Sequence, residues 1–357
     1  MTALKKIHIA IVFIIAALTF ATLPVCAQQS QPFTQYLFSR FLLNPAACGA
    51  DGYTSVSLIA KDHWTGFPGA PMNQTINAQI RLPREGIFGK RSSYSGSHGF
   101  SPENIGVGVA LFNDMRGPIR TTGGHFTYAY HIESPKGQLS FGLNTSLFQL
   151  YIDRNQLQTE LGHDRLIDGM KLSSFVPEAA FGLHYTTRSF YSGLSAFNLF
   201  QSYLTFGGRN TDDYRLERQY IFLGGYIFDI NREWTFVPGA QVKFNESSAV
   251  QVDFNAMFYY FDQFWGGVSY RSGGGGAIGG TSLIFGMRYE QYHFGYAYDH
   301  SLSNIQRYSF GSHEVMVSVT FGREERFFHY KRRYEFQDTE QQFRRTWVGR
   351  RLGRQTR

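Results

Sequence analysis

The run Phe294-Gly-Tyr-Ala-Tyr-Asp-His-Ser-Leu-Ser-Asn304, followed by Phe310-Gly-Ser-His-Glu-Val-Met-Val-Ser-Val-Thr-Phe321, decides how the chain is read. In the second run Val315, Val317 and Val319 fall on one face and Met316, Ser318 and Thr320 on the other, the period of two that marks a strand. In the first, Phe294, Tyr296 and Tyr298 alternate with Gly295, Ala297 and Asp299, and Asp299 to Asn304 supplies turn-forming residues. A row of rings opposite a row of small or polar residues makes a poor soluble core. It makes a good membrane barrel wall, because one face meets lipid and the other a packed or watery lumen.

The same signature recurs on the N-terminal side of that run, all the way back to Gly52. Ile105, Val107, Val109 and Leu111 oppose Gly106, Gly108 and Ala110, while Phe126, Tyr128, Tyr130 and Ile132 form another apolar row. Leu139, Phe141, Leu143 and Thr145 oppose Ser140, Gly142 and Asn144. Further strand-like runs are Tyr53–Ala60, Gln74–Leu82, Pro177–Thr187, Phe190–Phe200, Tyr220–Phe228, Trp234–Phe244, Ala249–Tyr259, Phe264–Arg271 and Ser282–Tyr289. The count predicts an all-β transmembrane antiparallel barrel of about fourteen strands over residues 51–322, each strand roughly 9 to 11 residues long. The polar stretch Pro83–Glu103 reads as a long extracellular excursion, and Tyr151–Ser174 and Gly207–Arg218 as two more long loops. The Gly-rich run Ser272–Gly280 is a flexible loop without the strand-to-helix setting of a phosphate cradle.

Composition agrees. Aromatic residues make up 17% of the 357, glycines number 38 and only 17% are charged. Mean hydropathy is negative, and after the N-terminus no segment approaches the apolar length of a spanning helix. The N-terminus reads as an export signal over 1–27: Lys5 and Lys6, an apolar stretch Ile7–Ala21, and small residues Val25-Cys26-Ala27 before Gln28. Cleavage there leaves Cys48 alone, with no intramolecular disulfide possible. Residues 28–50 carry Phe33, Tyr36, Leu37 and Phe41 at helical spacing, stopped by Asn44-Pro45. The segment is expected to be either a partial plug inside the barrel or a periplasmic lead-in.

The formal charge of +7 is unevenly placed. From Arg323 to Arg357 eleven Lys and Arg stand against five acids, so residues 28–322 are close to neutral. This tail mixes Arg clusters with rings. It suits docking onto an acidic periplasmic protein, with Arg332, Arg333, Arg344 and Arg345 pairing carboxylates and Tyr334 and Trp347 supplying buried area. An exported barrel has no nucleic acid to meet.

No catalytic or cofactor constellation stands out. His313 and Glu314 are adjacent on a strand, so they point to opposite faces and cannot share a metal or a proton. Asp299 and His300 at a turn could pair, but no nucleophile is placed beside them. The eleven histidines show no metal-ligand spacing. The chain is therefore read as non-enzymatic and free of metal and cofactor.

Several of these blocks together resemble the PorP/SprF family of outer-membrane proteins. The opening block is Pro32-Phe-Thr-Gln-Tyr36 with Leu43-Asn44-Pro45-Ala46 and Gly49. The next is Trp64-Thr-Gly66-Phe-Pro-Gly-Ala-Pro71 with Gln74 and Thr75. A third is Tyr191-Ser-Gly193-Leu-Ser195 with Asn198 and Leu199, and the closing block is Gly295-Tyr296-Ala-Tyr-Asp299 with Gly311-Ser-His313-Glu314. The resemblance runs from about Gln31 to Phe321. It implies a component of type IX secretion, and of the associated gliding machinery, that links periplasmic secretion components or peptidoglycan-bound lipoproteins to the cell surface. A dedicated surface anchor for one secreted adhesin is the nearest alternative, and a general diffusion porin a further one. The long basic tail departs from the family pattern, so its partner is not implied.

Overall fold

The computed structural model describes residues 33–82, 104–153, 173–203, 215–246, 250–272 and 279–321. The signal at 1–27 and the tail at 323–357, with Arg332, Arg333, Tyr334, Arg344, Arg345 and Trp347, lie outside the described residues.

The strand segments are β1 (Thr54–Asp62), β2 (Met72–Arg81), β3 (Ile105–Arg116), β4 (Ile119–Ser134), β5 (Gly137–Ile152), β6 (Ser173–Thr186), β7 (Phe190–Phe197), β8 (Gln219–Tyr226), β9 (Phe228–Asp229), β10 (Trp234–Asn245), β11 (Val250–Tyr260), β12 (Phe264–Arg271), β13 (Gly280–Tyr289), β14 (Tyr292–Ser301) and β15 (Ser312–Phe321). Both β8 and β9 pair with β10, so they are two parts of one stave. Each stave pairs antiparallel with its chain neighbours, and β1 closes on β15 from Thr54↔Phe321 to Asp62↔His313. The result is a closed barrel of fourteen staves. Closure leaves no strand edge in hydrocarbon, which an open sheet could not avoid.

Alternation sets which face is which. On β15, Ser312, Glu314, Met316 and Ser318 are buried inward while Val315, Val317, Val319 and Phe321 look out. Outward rows elsewhere carry Leu58, Ile76, Leu111, Phe126, Leu143, Leu194, Phe285 and Leu283, all exposed. A continuous apolar surface of this kind is untenable in water and required in lipid. Rings gather where the outer wall meets the barrel ends, as in the cross-strand neighbours Trp234, Tyr260 and Phe264.

Four expectations change. Strands β4 and β5 run 16 residues each: β4 extends past its apolar row into Arg120 and Thr122, and β5 continues outward through Leu147, Gln149 and Tyr151. The outward row Gln74, Asn113, Thr122 is hydrogen-bonded at 3.4 and 3.0 Å and marks where the lipid-facing surface ends there. Strand β7 stops at Phe197, since Asn198 takes φ 58° and turns the chain. The helical spacing at 33–41 yields single 3-10 turns at Tyr36–Phe38, Arg40–Leu42 and Pro45–Ala47 rather than one helix. Asn44 caps the last of them, accepting the Ala46 N–H at 3.0 Å, so Pro45 starts a turn as well as ending a pattern.

The fourth change concerns loops. The mouth at which β1 starts and β15 ends, called here the near mouth, also holds the short turns at 135–136, 187–189 and 290–291. Leu82 and Ile105 meet at this same mouth, through the Leu82 N–H donating to the Ile105 carbonyl at 2.9 Å. The connection over 83–103 therefore belongs with the short turns. Those at 154–172 and 204–214 leave from the opposite, far mouth.

Candidate functional site

Residues 33–50 lie against the inward faces of the staves, and their contacts follow the barrel axis in order. Thr34 and Gln35 touch the far-mouth ends of β14 and β15; Tyr36 reaches Asn255 halfway down β11 at 2.5 Å. Leu43 accepts from Ser195 Oγ at 2.6 Å, and Asn44 donates to the Leu183 carbonyl at 2.8 Å. The Cys48 carbonyl meets His131 Nε2 at 3.0 Å, and the Gly49 N–H donates to Gln79 Oε1 at 2.9 Å, close to the near mouth.

At the far end the contact is ionic. Glu314 is fully buried, and its two oxygens accept consecutive backbone N–H groups, Thr34 to Oε2 at 2.6 Å and Gln35 to Oε1 at 2.8 Å. The Thr34 hydroxyl lies 2.7 Å from one Asp299 oxygen and 2.9 Å from the other. Lys61 Nζ donates to Thr34 Oγ1 at 2.7 Å and to Asp299 at 2.6 Å, and stands 3.4 Å from Glu314. Burying these charges costs several kcal/mol per ion, roughly, and only the shared bonds offset it. A clamp of this kind holds Thr34 in one place.

At the near end the contact is steric. Gly106, Ala129, Gly142, Gly182 and Ser195 are direct neighbours across β3, β4, β5, β6 and β7, one row of small residues on the inner wall. The chain from Leu43 to Cys48 lies along that row. A Cβ on Gly142 would collide with the Ala46 backbone, one on Gly182 with the Asn44 side chain and one on Gly106 with the Cys48 carbonyl. Backbone can approach this wall only because no side chain stands there. Cys48, fully buried beside Gly108, has its thiol pushed up to about 12 by burial.

Between the two lies an apolar cluster of Ile59, Tyr191, Leu223, Val237, Met257, Trp265, Ile284, Ala297 and Met316. Phe33, Phe38, Leu42 and Leu43 pack against it. Phe38 packs against Trp265 in a tilted ring pair at 4.9 Å between centroids, and Arg40 lies over the Tyr191 ring at 4.2 Å.

The motif residues sort by place. Asn44 and Pro45 belong to the N-terminal segment, and Gly193, Gly295, Asp299 and Glu314 line the wall around it: a Cβ on Gly193 would crowd the Asn44 amide, and one on Gly295 would meet Gln35 Oε1. Trp64, Gly66 and Gly311 join two far-mouth loops. The Thr65 N–H donates to the Gly311 carbonyl and the Phe310 N–H to the Thr65 carbonyl, both at 2.8 Å. Gly66 and Gly311 take φ 91° and 86°, a conformation that favours glycine. Thr75 is buried inward, whereas Gln74 faces out. Tyr296 and His313 pair at 2.6 Å on the wall face opposite Glu314, and the Asn198 amide donates to the Glu217 carbonyl at 2.9 Å.

Asp299 and His300 do not pair. Both sit on β14, where neighbours face opposite ways, so Asp299 points in to Lys61 and His300 is exposed. Sequence reasoning met Thr34 and Gln35 only inside a motif block, and missed Lys61 and the pairing of small residues into one row. Among the described residues, no group of three or more His, Cys, Asp or Glu could hold a metal ion.

Comparison with known proteins adds a family. The model of the type IX secretion system membrane protein PorP/SprF matches residues 25–319. No curated protein matches. Among solved structures, the chain is similar to the Acinetobacter baumannii outer membrane protein Omp33, at 6% identity and TM-score 0.40, covering 76% of this chain and 99% of that one. It is also similar to a variant of the Rh. blastica porin at 9% and 0.33, covering 75% and 99%, and to CdiB from Acinetobacter baumannii at 7% and 0.43, covering 75% and 60%.

Proposed function

The chain belongs to the PorP/SprF family of type IX secretion system membrane proteins, and on that premise we propose that it is a non-enzymatic link between the periplasmic secretion apparatus and the cell surface. Outer-membrane residence and work alongside other components of that system follow from the family and the barrel. The finer reading is that residues 28–50 form a plug, that the near mouth faces the periplasm, and that the tail at 323–357 docks periplasmic components or peptidoglycan-bound lipoproteins. The orientation rests on the short turns at the near mouth, the usual periplasmic feature of such barrels.

One observation carries the reading of a link rather than a pore. The inward row of β1 and the facing residues of β11, β13 and β15 are buried under the N-terminal segment, including Ile59, Met257, Ile284 and Met316. A diffusion porin needs water where these side chains pack. Anchoring of one secreted adhesin is an alternative the same geometry allows. Affinity purification from native membranes separates the two. The link reading expects periplasmic secretion components with the full chain and their loss when Arg323–Arg357 is deleted, with the barrel still inserted. Recovery of a single surface protein in their place would overturn it.

A further inference from the structure

We propose that the far-mouth half of the lumen holds a small enclosed pocket of ordered water, bonded to Gln241, Asp253 and Asn255, and that this pocket ends on the apolar cluster below it. The inference does not depend on which mouth faces outward.

Gln241 and Lys243 on β10, Gln251, Asp253 and Asn255 on β11 and Arg271 on β12 share the inward face, with Gln241 directly opposite Asp253 and Asp253 opposite Arg271. Gln241 is 0% exposed, yet neither its Oε1 nor its Nε2 has a hydrogen-bond partner. Asp253 accepts from Gln251 Nε2 at 2.8 Å and from Arg271 Nε at 3.1 Å, both through Oδ1, and its Oδ2 is left open. Asn255 donates through Nδ2 to the Tyr36 hydroxyl, and its Oδ1 is left open. Buried polar groups are nearly always paired, because an unpaired one bears the full penalty of leaving water. Four open atoms on three neighbouring side chains therefore mark one shared partner.

The chemistry of that partner follows from the atoms it meets. Three of them are oxygens that accept and one is a nitrogen that donates, so the partner must do both. The Lys243 ammonium, 2% exposed and two residues further along β10, joins the Arg271 guanidinium in repelling a metal cation. Three oxygens, one of them a carboxylate's, repel an anion. Water is neutral and both donates and accepts. A buried water makes about three hydrogen bonds, so about two of them serve all four atoms. A donor on Asn255 Oδ1 also fixes which way that amide turns, and so keeps Nδ2 for Tyr36.

Toward the near mouth the next inward row is Val237, Met257, Gly267 and Ile284, neighbours across β10, β11, β12 and β13. It offers water no polar side chain, and a Cβ on Gly267 would already meet Met257 Sδ. The wall of the lumen is thus wet above this row and apolar along it, and water in the pocket goes no further.

Two measurements test the pocket. In a crystal structure of the purified full chain at a resolution that shows ordered water, density is expected within hydrogen-bond distance of Gln241 Oε1, Gln241 Nε2 and Asp253 Oδ2. Bare space, a protein side chain or a metal ion at that place overturns it. The second measurement turns on a sign. Gln241→Leu keeps much of the volume and removes both amide atoms: an amide without a partner is better lost, whereas one that holds water leaves Asp253 and Asn255 short of bonds when it goes. The heat-modifiable form of Gln241→Leu should unfold several-fold faster than the wild type at the same temperature, and an equal or slower rate overturns the pocket. Met257→Leu, a swap of like volume in the apolar row, should unfold at close to the wild-type rate. A change there as large as in Gln241→Leu would assign the effect to packing and count against bound water.

Discussion

The two ends of the lumen hold the same segment by different means. Near β1's first residue, backbone lies on a row of Gly, Ala and Ser that carries no bulky side chain; at the far mouth, Thr34 and Gln35 are held by a buried Lys–Asp–Glu set. Shape closes one end and charge the other. A steric seat is lost only when volume is added, and a charge clamp only when a partner is removed, so substitutions at the two ends should fail in distinguishable ways.

The largest effect is expected at the clamp. Lys61→Met leaves Glu314 and Asp299 buried without their cation, a change that costs about 3–5 kcal/mol. The heat-modifiable form should unfold at a clearly lower temperature. A midpoint equal to the wild type would mean the charges are solvated and not a clamp. Next comes the seat. Gly182→Val should expel Asn44 at a cost of about 1–3 kcal/mol, and the purified barrel should then be cut by trypsin after Arg40. Protection equal to the wild type would remove the small-residue row from the argument. Asn44→Ala, which deletes a cap and the bond to the Leu183 carbonyl, should cost about 0.5–2 kcal/mol without expulsion. Cys48 sharpens the contrast without any substitution. Its thiol should resist maleimide in the folded protein at pH 8 and react on unfolding, because burial holds it protonated. Labelling of the native protein would place the near end in water. The smallest effect belongs outside the lumen: Gln74→Ala on the exposed wall should shift stability by roughly 0.5 kcal/mol or less.

The barrel was legible because its rule is local. Val315, Val317 and Val319 against Met316 and Ser318 need no distant partner to be read as a wall, and the same holds for Phe126, Tyr128 and Tyr130. The clamp was not legible because Thr34 stands 27 positions from Lys61 and 280 from Glu314. Glu314 and Asp299 were visible as motif residues, but the fact that they share a face with Lys61 depends on strand register. The small-residue row shows the same limit. Gly106 and Gly142 each looked like an ordinary inward position, and only the pairing Gly106↔Ala129↔Gly142↔Gly182↔Ser195 turns them into a seat. Length and polarity at 83–103 do not say which mouth the stretch leaves from; strand reversals counted from β1 do, since Leu82 and Ile105 meet at the near mouth.

The most direct test of a lumen filled by its own N-terminal segment is conductance. The purified mature chain, reconstituted in a planar bilayer, should pass almost no current, and the same chain with Gly142→Leu and Gly182→Val should open steps of porin size. Steady porin-like conductance from the unaltered protein would contradict the filled lumen and return the chain to the class of open pores.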